Sequence, residues 1–201
     1  MKLYFSPGAC SLSPHIVARE AGLELTLEKV DLKTKKTASG ADFLAVNPKG
    51  YVPTLQLDDG HVLTEGPAIV QYLADLAPAS KLAPPNGTME RYQLQEVLGF
   101  INSEIHKTYS PLFNPSTVAE TRAEREAYLK KRYAYLDRKL AEKPFLLGDT
   151  FTAADAYLFT VTNWASIVKL DLSEYTHVAA FQKRVAERPG VKAAMKEEGL
   201  K

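Results

Sequence analysis

The chain holds a single cysteine, Cys10, so any thiol chemistry of its own must pass through that residue. It stands in Lys2-Leu-Tyr-Phe-Ser-Pro-Gly-Ala-Cys-Ser-Leu-Ser-Pro14, where a short β-prone run breaks into a turn-rich loop and Ser13-Pro14 reads as the N-cap and first residue of a helix. A helix start carries about half a positive charge, which favours a thiolate and lowers a cysteine pKa from roughly 8.5. A lone cysteine is equally often a small buried hydrophobe, so position alone leaves both roles open. In Cys10-Ser-Leu-Ser13 a serine takes the place of a second cysteine, and an external thiol would have to resolve any mixed disulfide.

Other segments carry weaker signals. Val52-Pro53 opens a strand with a residue that cannot donate to a ladder. A cis bond there would expose the Val52 backbone for pairing with an extended peptide, although cis X-Pro bonds are only about 5% of the total. Thr64-Glu65-Gly66-Pro67 sets a carboxylate and free N–H groups at a helix start, suiting a ligand with an amine and a carboxylate on one carbon; an acidic residue that merely complements the dipole explains the pattern as well. His106 and Lys107 follow Ser103 and Glu104 near the end of a long helix, where a histidine is more often a solvated cap than an acid or base. Thr152-Ala-Ala-Asp155 is a capping box and reads as structural. His15, His61, His106 and His177 show no metal-ligand spacing, so no metal is expected.

The elements that must position these residues fall into two kinds. From Lys2 to about Leu76 the pattern is β-α-β-α-β-β-α: strands at Lys2–Phe5, Leu25–Leu32, Val52–Leu57 and His61–Leu63, helices near Pro14–Ala21, Ala41–Val46 and from Thr64. Asp58-Asp59-Gly60 marks a hairpin, so the last two strands should be antiparallel. That order is the order of a thioredoxin-like domain, expected over residues 1–80. A proline-rich linker over 78–87 leads to an all-helical domain over 87–201, with amphipathic stretches at Met89–Lys107, Ala119–Glu142, Ala153–Lys169, His177–Arg188 and beyond Pro189. With 25 basic and 24 acidic residues the chain has no footprint for nucleic acid, and no stretch approaches the roughly 18 apolar residues of a membrane helix. The N-terminus lacks a signal-peptide run, and a single cysteine suits a reducing compartment, so a cytoplasmic protein acting on a small molecule is expected.

Taken together, Lys2-Leu-Tyr-Phe-Ser-Pro-Gly-Ala-Cys-Ser-Leu-Ser13, Val46-Asn-Pro-Lys-Gly-Tyr-Val-Pro53 and Leu63-Thr-Glu-Gly-Pro-Ala-Ile-Val-Gln-Tyr-Leu73 resemble the glutathione-binding half of bacterial beta-class glutathione transferases. The resemblance continues through Ser103-Glu-Ile-His-Lys107, Ser110-Pro-Leu-Phe113, Phe151-Thr-Ala-Ala-Asp-Ala-Tyr-Leu-Phe159 and Ala186-Glu-Arg-Pro189, covering essentially the whole chain. It implies a homodimeric detoxification enzyme that conjugates glutathione, its co-substrate, to hydrophobic electrophiles without a further cofactor. Cys10 would face the glutathione sulfur and could support thiol–disulfide exchange. Val52 beside a cis Pro53 would pair with the cysteinyl residue, Glu65 and Gly66 would hold the γ-glutamyl end, and Lys35, rather than Lys33 or Lys36, would meet the glycine carboxylate. Ser103 and Glu104 would serve the γ-glutamyl group across a dimer interface, and His106 would approach the thiols. Tyr109, Phe113 and Trp164 are candidates for the electrophile pocket, although most helical aromatic residues are core. Phe5 and Gly99 depart from the family, which often has tyrosine and asparagine there. A disulfide oxidoreductase, a dehalogenase, and a binder without turnover remain as competing functions.

Overall fold

A computed structural model describes residues 1–200, which form two units: Met1–Ala83 with the segment from Glu187 onward, and Pro84–Ala186. The first is built on β1 (Lys2–Phe5), α1 (Leu12–Glu20), β2 (Thr26–Asp31), β3 (Lys36–Thr37), β4 (Thr54–Gln56), β5 (Val62–Thr64) and α2 (Gly66–Leu76). The strands lie in the order β3-β2-β1-β4-β5. The central strand β1 runs parallel to β2, with Leu3 opposite Leu27, and antiparallel to β4, with Leu3 opposite Leu55. Leu63 faces Leu55 across the β4–β5 hairpin, whose turn holds Gly60 at φ +90°. This is the thioredoxin-like arrangement expected from the pattern, with two local differences. The second helix is a single 3-10 turn, Phe43–Ala45, capped by Asp42 accepting from the Leu44 N–H; Pro48 follows closely, and a residue before proline is pushed out of the helical region. The short strand β3 is an addition that Lys36-Thr37 gives no propensity signal for.

The two ends of α1 are closed in different ways. Its C-terminus is a Schellman motif, with Gly22 at φ +70° donating to the Arg19 carbonyl and Leu23 to Ala18. Its N-terminus begins earlier than Ser13-Pro14 suggests: Ser11 precedes Leu12, and Ser13 lies inside the first turn, its Oγ donating to the Cys10 carbonyl at 2.8 Å. Pro14 is still tolerated, because the first-turn N–H groups have no partner within the helix.

The last helix, α9 (Pro189–Glu197), packs on α1 and so belongs to the first unit. The sequence reading ran the helical domain to the C-terminus; amphipathic spacing shows that α9 buries a face, here Val191 and Ala194, but not which surface receives it. The joint is polar at both ends. Glu20 accepts from Arg188 and from the Gly190 N–H, while Glu197 accepts from Arg19 and pairs with His15.

The second unit is helical. After Thr88, whose Oγ1 caps the Arg91 N–H, α3 (Met89–Phe100) continues without a break into a π-helical stretch, Ile101–His106, then α4 (Lys107–Tyr109) and a 3-10 turn, Ser110–Phe113. The 24-residue α5 (Ala119–Glu142) has the bounds its sequence pattern suggests. The next stretch divides at Asn163 into α6 (Ala153–Thr162) and α7 (Trp164–Val168), followed by α8 (Thr176–Ala186). Every residue of α6 is buried, and the capping box closes its start: Asp155 accepts from the Thr152 N–H and hydroxyl and from the Leu146 N–H. Among the described residues no helix is long and apolar enough to cross a membrane.

Candidate glutathione site

The candidate residues of the first unit gather around the segment from Asn47 to Pro53. Asn47 is buried there and braces the loop, its Nδ2 donating to the Tyr51 carbonyl and to Thr54 Oγ1, both at 2.9 Å, while its Oδ1 accepts from the Lys49 N–H. The Val52-Pro53 bond is cis, as the resemblance implied and the base rate did not. The Cys10 thiol donates to the Val52 carbonyl at 3.2 Å, so the cysteine and the cis-proline segment share one locus. Cys10 is partly buried, at the tip of a loop tied by Ser6 and Ser11: the Ser6 N–H donates to Ser11 Oγ, and the Ala9 N–H to the Ser6 carbonyl.

Lys35 is set apart from Lys33 and Lys36, which are exposed. It is partly buried, takes a left-handed backbone at φ +58°, and its Nζ donates to the Gly50 carbonyl at 2.6 Å. That holds its ammonium on the loop leading into Val52-Pro53. Sequence reasoning had no physical ground for choosing among three adjacent lysines; the turn that lifts Lys35 out of the solvated face provides one.

Glu65 precedes α2 in a left-handed conformation, φ +73°, and makes no side-chain cap for that helix. Its half-exposed carboxylate instead accepts from Lys49 Nζ at 2.8 Å and Tyr51 Oη at 2.7 Å. The hydrogen bond to Glu65 pushes both the Lys49 and the Tyr51 pKa up. Gly66 is buried as the first residue of α2, where the free N–H groups of the helix start lie. Lys49 and Tyr51 were not among the residues singled out from the sequence. The Lys49-Gly50-Tyr51 run beside Pro53, within the segment that carries the resemblance, is the available signal, and it gives no hint that both side chains turn to Glu65.

The second unit assembles its own cluster. The π-helical stretch widens the ladder at Ile101–His106, a distortion frequent at functional sites. His106 Nδ1 lies 2.6 Å from Tyr157 Oη, which donates to Asn102 Oδ1 at 2.9 Å. With the Tyr157 proton given to Asn102, the histidine must hold its own proton on Nδ1, leaving Nε2 as the basic nitrogen. The imidazole also stands edge-on to Trp164, 4.9 Å between centroids. His106 is therefore braced on two sides, not a solvated helix cap. Tyr157 and Asn102 were missed because their sequence neighbours show nothing of this convergence.

Trp164 touches Tyr109 and Phe113 as well, at 5.8 and 5.5 Å, so the three aromatic residues expected at an electrophile pocket form one cluster with His106. Their exposure differs. Phe113 is 45% exposed and Trp164 only 5%, while Tyr109 is core: it is fully buried and its hydroxyl is shared with Tyr133, with burial pushing its pKa up. Glu104 accepts from Tyr128 and pairs with Arg132 at 2.7 Å; the Tyr128 hydrogen bond, with Arg132 beside it, holds its carboxyl below the usual range against burial, which pushes the other way. Ser103 Oγ donates to the Gly99 carbonyl. Phe5 packs its ring toward His15, and the space beside Gly99 is open, so neither departure forces a local rearrangement. Among the described residues no group of three or more histidine, cysteine or acidic side chains could hold a metal ion.

Known proteins match this chain along its length. Family models match twice: the glutathione S-transferase N-terminal domain over residues 8–76 and the glutathione S-transferase C-terminal domain over residues 100–189. A glutathione S-transferase of Escherichia coli O157:H7, GstA, is 50% identical over all of both chains. Among solved structures, the bacterial transferase BphK in a ternary complex is 56% identical with a TM-score of 0.98, each chain fully covered. A beta-class glutathione S-transferase of Sphingomonas chungbukensis is 47% identical with a TM-score of 0.97, again over the full length of both.

Proposed function

This chain belongs to the glutathione S-transferase family and is a glutathione transferase, with glutathione as co-substrate; on that premise we propose that Cys10, Lys35, Val52, Glu65 and Gly66 hold glutathione. The observation that carries the assignment is the convergence of Cys10 and the cis Val52-Pro53 segment at 3.2 Å, with Lys35 and Glu65 tied to the same loop on either side. Each element suits one part of the ligand. The Val52 backbone pairs with the extended cysteinyl residue, the Lys35 ammonium answers the glycine carboxylate, and the Glu65 carboxylate answers the γ-glutamyl ammonium while the start of α2 receives its carboxylate. Lys49 and Tyr51 orient Glu65 for that task.

In the helical unit His106 is the acid–base group, with a basic Nε2 fixed by Tyr157, and a positioned histidine of this kind is typically worth about 10² to 10⁴ in rate. Phe113 and Trp164 offer the apolar surface for an electrophile, with Tyr109 packed behind them. Ser103 and Glu104 serve the γ-glutamyl group of a second copy in a homodimer. Exposed Met89 and Tyr92 on α3 support a partner surface. The protein acts in the cytoplasm, in detoxification.

The thiol of Cys10 adds a second activity. Its thiolate attacks the glutathionyl sulfur of a mixed disulfide R–S–S–G, forming Cys10–S–S–G and releasing R–S⁻; a glutathione thiolate then attacks the glutathionyl sulfur, regenerating the Cys10 thiolate and yielding oxidised glutathione, so that glutathione reduces the substrate disulfide. Intact-mass spectrometry after exposure to oxidised glutathione is expected to show one reductant-labile glutathionyl group per chain, lost in Cys10→Ala, which still conjugates aromatic halides. A wild type without adduct, and a mutant with unchanged disulfide exchange, would remove Cys10 from the site. Light scattering is expected to give twice the chain mass; a monomer of full glutathione affinity would remove the dimer.

A further inference from the structure

Gly8, two residues before Cys10, donates its N–H to Glu198 Oε2 at 2.9 Å, a contact spanning 190 positions of sequence. The other oxygen of the same carboxylate pairs with His15 Nδ1 at 3.0 Å, and the opposite ring nitrogen of His15 pairs with Glu197 at 2.7 Å. The side chains of His15 and Glu198 are wholly buried. A buried carboxylate is costly unless both oxygens are satisfied, and here one is satisfied by α1 and the other by the loop that carries Cys10. Joining α9 to α1 does not require the second contact: the Glu20, Arg19 and Glu197 pairs already do that.

The turn that presents Glu198 is specific. Leu200 donates to the Met195 carbonyl and Gly199, at φ +73°, to Lys196, a Schellman motif closing α9. It lays the Leu200 side chain over Gly8, with Cδ2 3.5 Å from the point where a Cβ would stand. Gly8 itself is at φ +70°, so the loop is held in a conformation that glycine permits and is gripped there at its N–H and covered from above.

We propose that the C-terminal turn is the positioning device for the Cys10 loop, with Glu198 as its positioning residue. The inference rests on the reading of Cys10 as the working thiol. Glu198 touches no reacting atom; it fixes the peptide from Ser6 to Ser11, and through it the direction of Cys10 Sγ and of the loop amides. A displacement of about 1 Å far from the chemistry can cost up to about a hundredfold in rate.

The test compares Glu198→Ala, Glu198→Gln and Glu197→Ala in the full chain, with folding checked by circular dichroism and thermal melting. Two readouts are taken: the rate of Cys10 alkylation by iodoacetamide without glutathione, and kcat against KM for conjugation. Glu198→Ala is expected to change the alkylation rate by at least about threefold and to lower kcat about tenfold, with the electrophile KM within about twofold. Glu198→Gln keeps an acceptor for the Gly8 N–H and is expected to restore most of both. Glu197→Ala removes an equivalent α1–α9 pair without touching the loop; it should lower the melting temperature and leave both readouts near wild type. Should Glu198→Ala fail to fold, Leu200→Ala uncovers Gly8 without breaking an ion pair and is expected to shift alkylation in the same sense. Equal effects of the Glu197 and Glu198 substitutions, or wild-type alkylation in Glu198→Ala or Leu200→Ala, would overturn the proposal. If Cys10→Ala keeps disulfide exchange, the reading of Cys10 fails, yet the alkylation series still decides the clamp.

Discussion

Glu65 and Asp155 are both acidic residues at the start of a helix, and their surroundings could hardly differ more. Asp155 is fully buried inside α6's first turn, with both oxygens filled by Thr152 and Leu146. Glu65 is half exposed, caps nothing, and is steered by the side chains of Lys49 and Tyr51 from a left-handed backbone. The first carboxylate has used its hydrogen-bonding capacity on its own chain. The second is held in place by donors a ligand can replace or supplement. At a helix start, then, the discriminator between a structural and a binding carboxylate is where its oxygens are spent, which spacing alone cannot tell.

The largest effect that could break this comparison is on stability. Asp155→Ala leaves the Leu146 and Thr152 N–H groups buried without an acceptor, and the expected loss is about 2 to 4 kcal/mol in urea unfolding, with glutathione affinity of the folded fraction unchanged. A loss below about 0.5 kcal/mol would show that α6 does not depend on its cap.

A smaller, pH-dependent effect sharpens the same point. Burial pushes the Asp155 pKa up to about 6, against the hydrogen bonds from Leu146 and Thr152 that lower it. The folded state thus binds this proton more tightly than the unfolded one, whose carboxyl titrates near about 3.9. The stabilisation from that proton is complete below the unfolded value and is lost as pH rises through about 6. Wild-type stability measured relative to Asp155→Asn should therefore fall between about pH 4 and 6. A flat difference across that window would contradict the assignment. The smallest effect concerns the donors on Glu65: Tyr51→Phe or Lys49→Met should weaken glutathione binding only about two- to fivefold, since each removes one donor from Glu65 at an exposed site. A loss as large as that from changing Glu65 itself would mean that these residues contact the ligand directly.

Much of the scaffold was legible in the sequence because it depends on local signals. Asp58-Asp59-Gly60 specified the β4–β5 hairpin, the apolar spacing of Ala119–Glu142 specified α5, and Thr152 with Asp155 specified the start of α6. What escaped depends on contacts between distant residues. The fold-back of α9, the His15–Glu198–Gly8 chain and the Tyr157–Asn102 brace on His106 each join positions tens to nearly two hundred residues apart, and no periodicity encodes them. The helix starts at Leu12, two residues before the Pro14 start that Ser13-Pro14 suggests by mimicking a cap, while the serine hydroxyl actually serves the Cys10 carbonyl. For the site, motif resemblance singled out Cys10, Lys35, Val52 and Glu65; only the geometry reveals that Lys49 and Tyr51 complete Glu65 and that Lys35, unlike the exposed Lys33 and Lys36, is partly buried and tied to Gly50.

The most direct test of the account is a calorimetric titration of glutathione into Glu65→Gln, with a thermal melt of the same preparation. An exposed helix-start carboxylate contributes only about 0.3 to 1 kcal/mol to its dipole, whereas losing a charge-assisted partner for the ligand ammonium costs about 1.5 to 3 kcal/mol. The account predicts glutathione affinity reduced by at least about tenfold, with the melting temperature within about 3 °C of wild type. Wild-type affinity in Glu65→Gln, or a loss of affinity matched by an equal loss of stability, would contradict it.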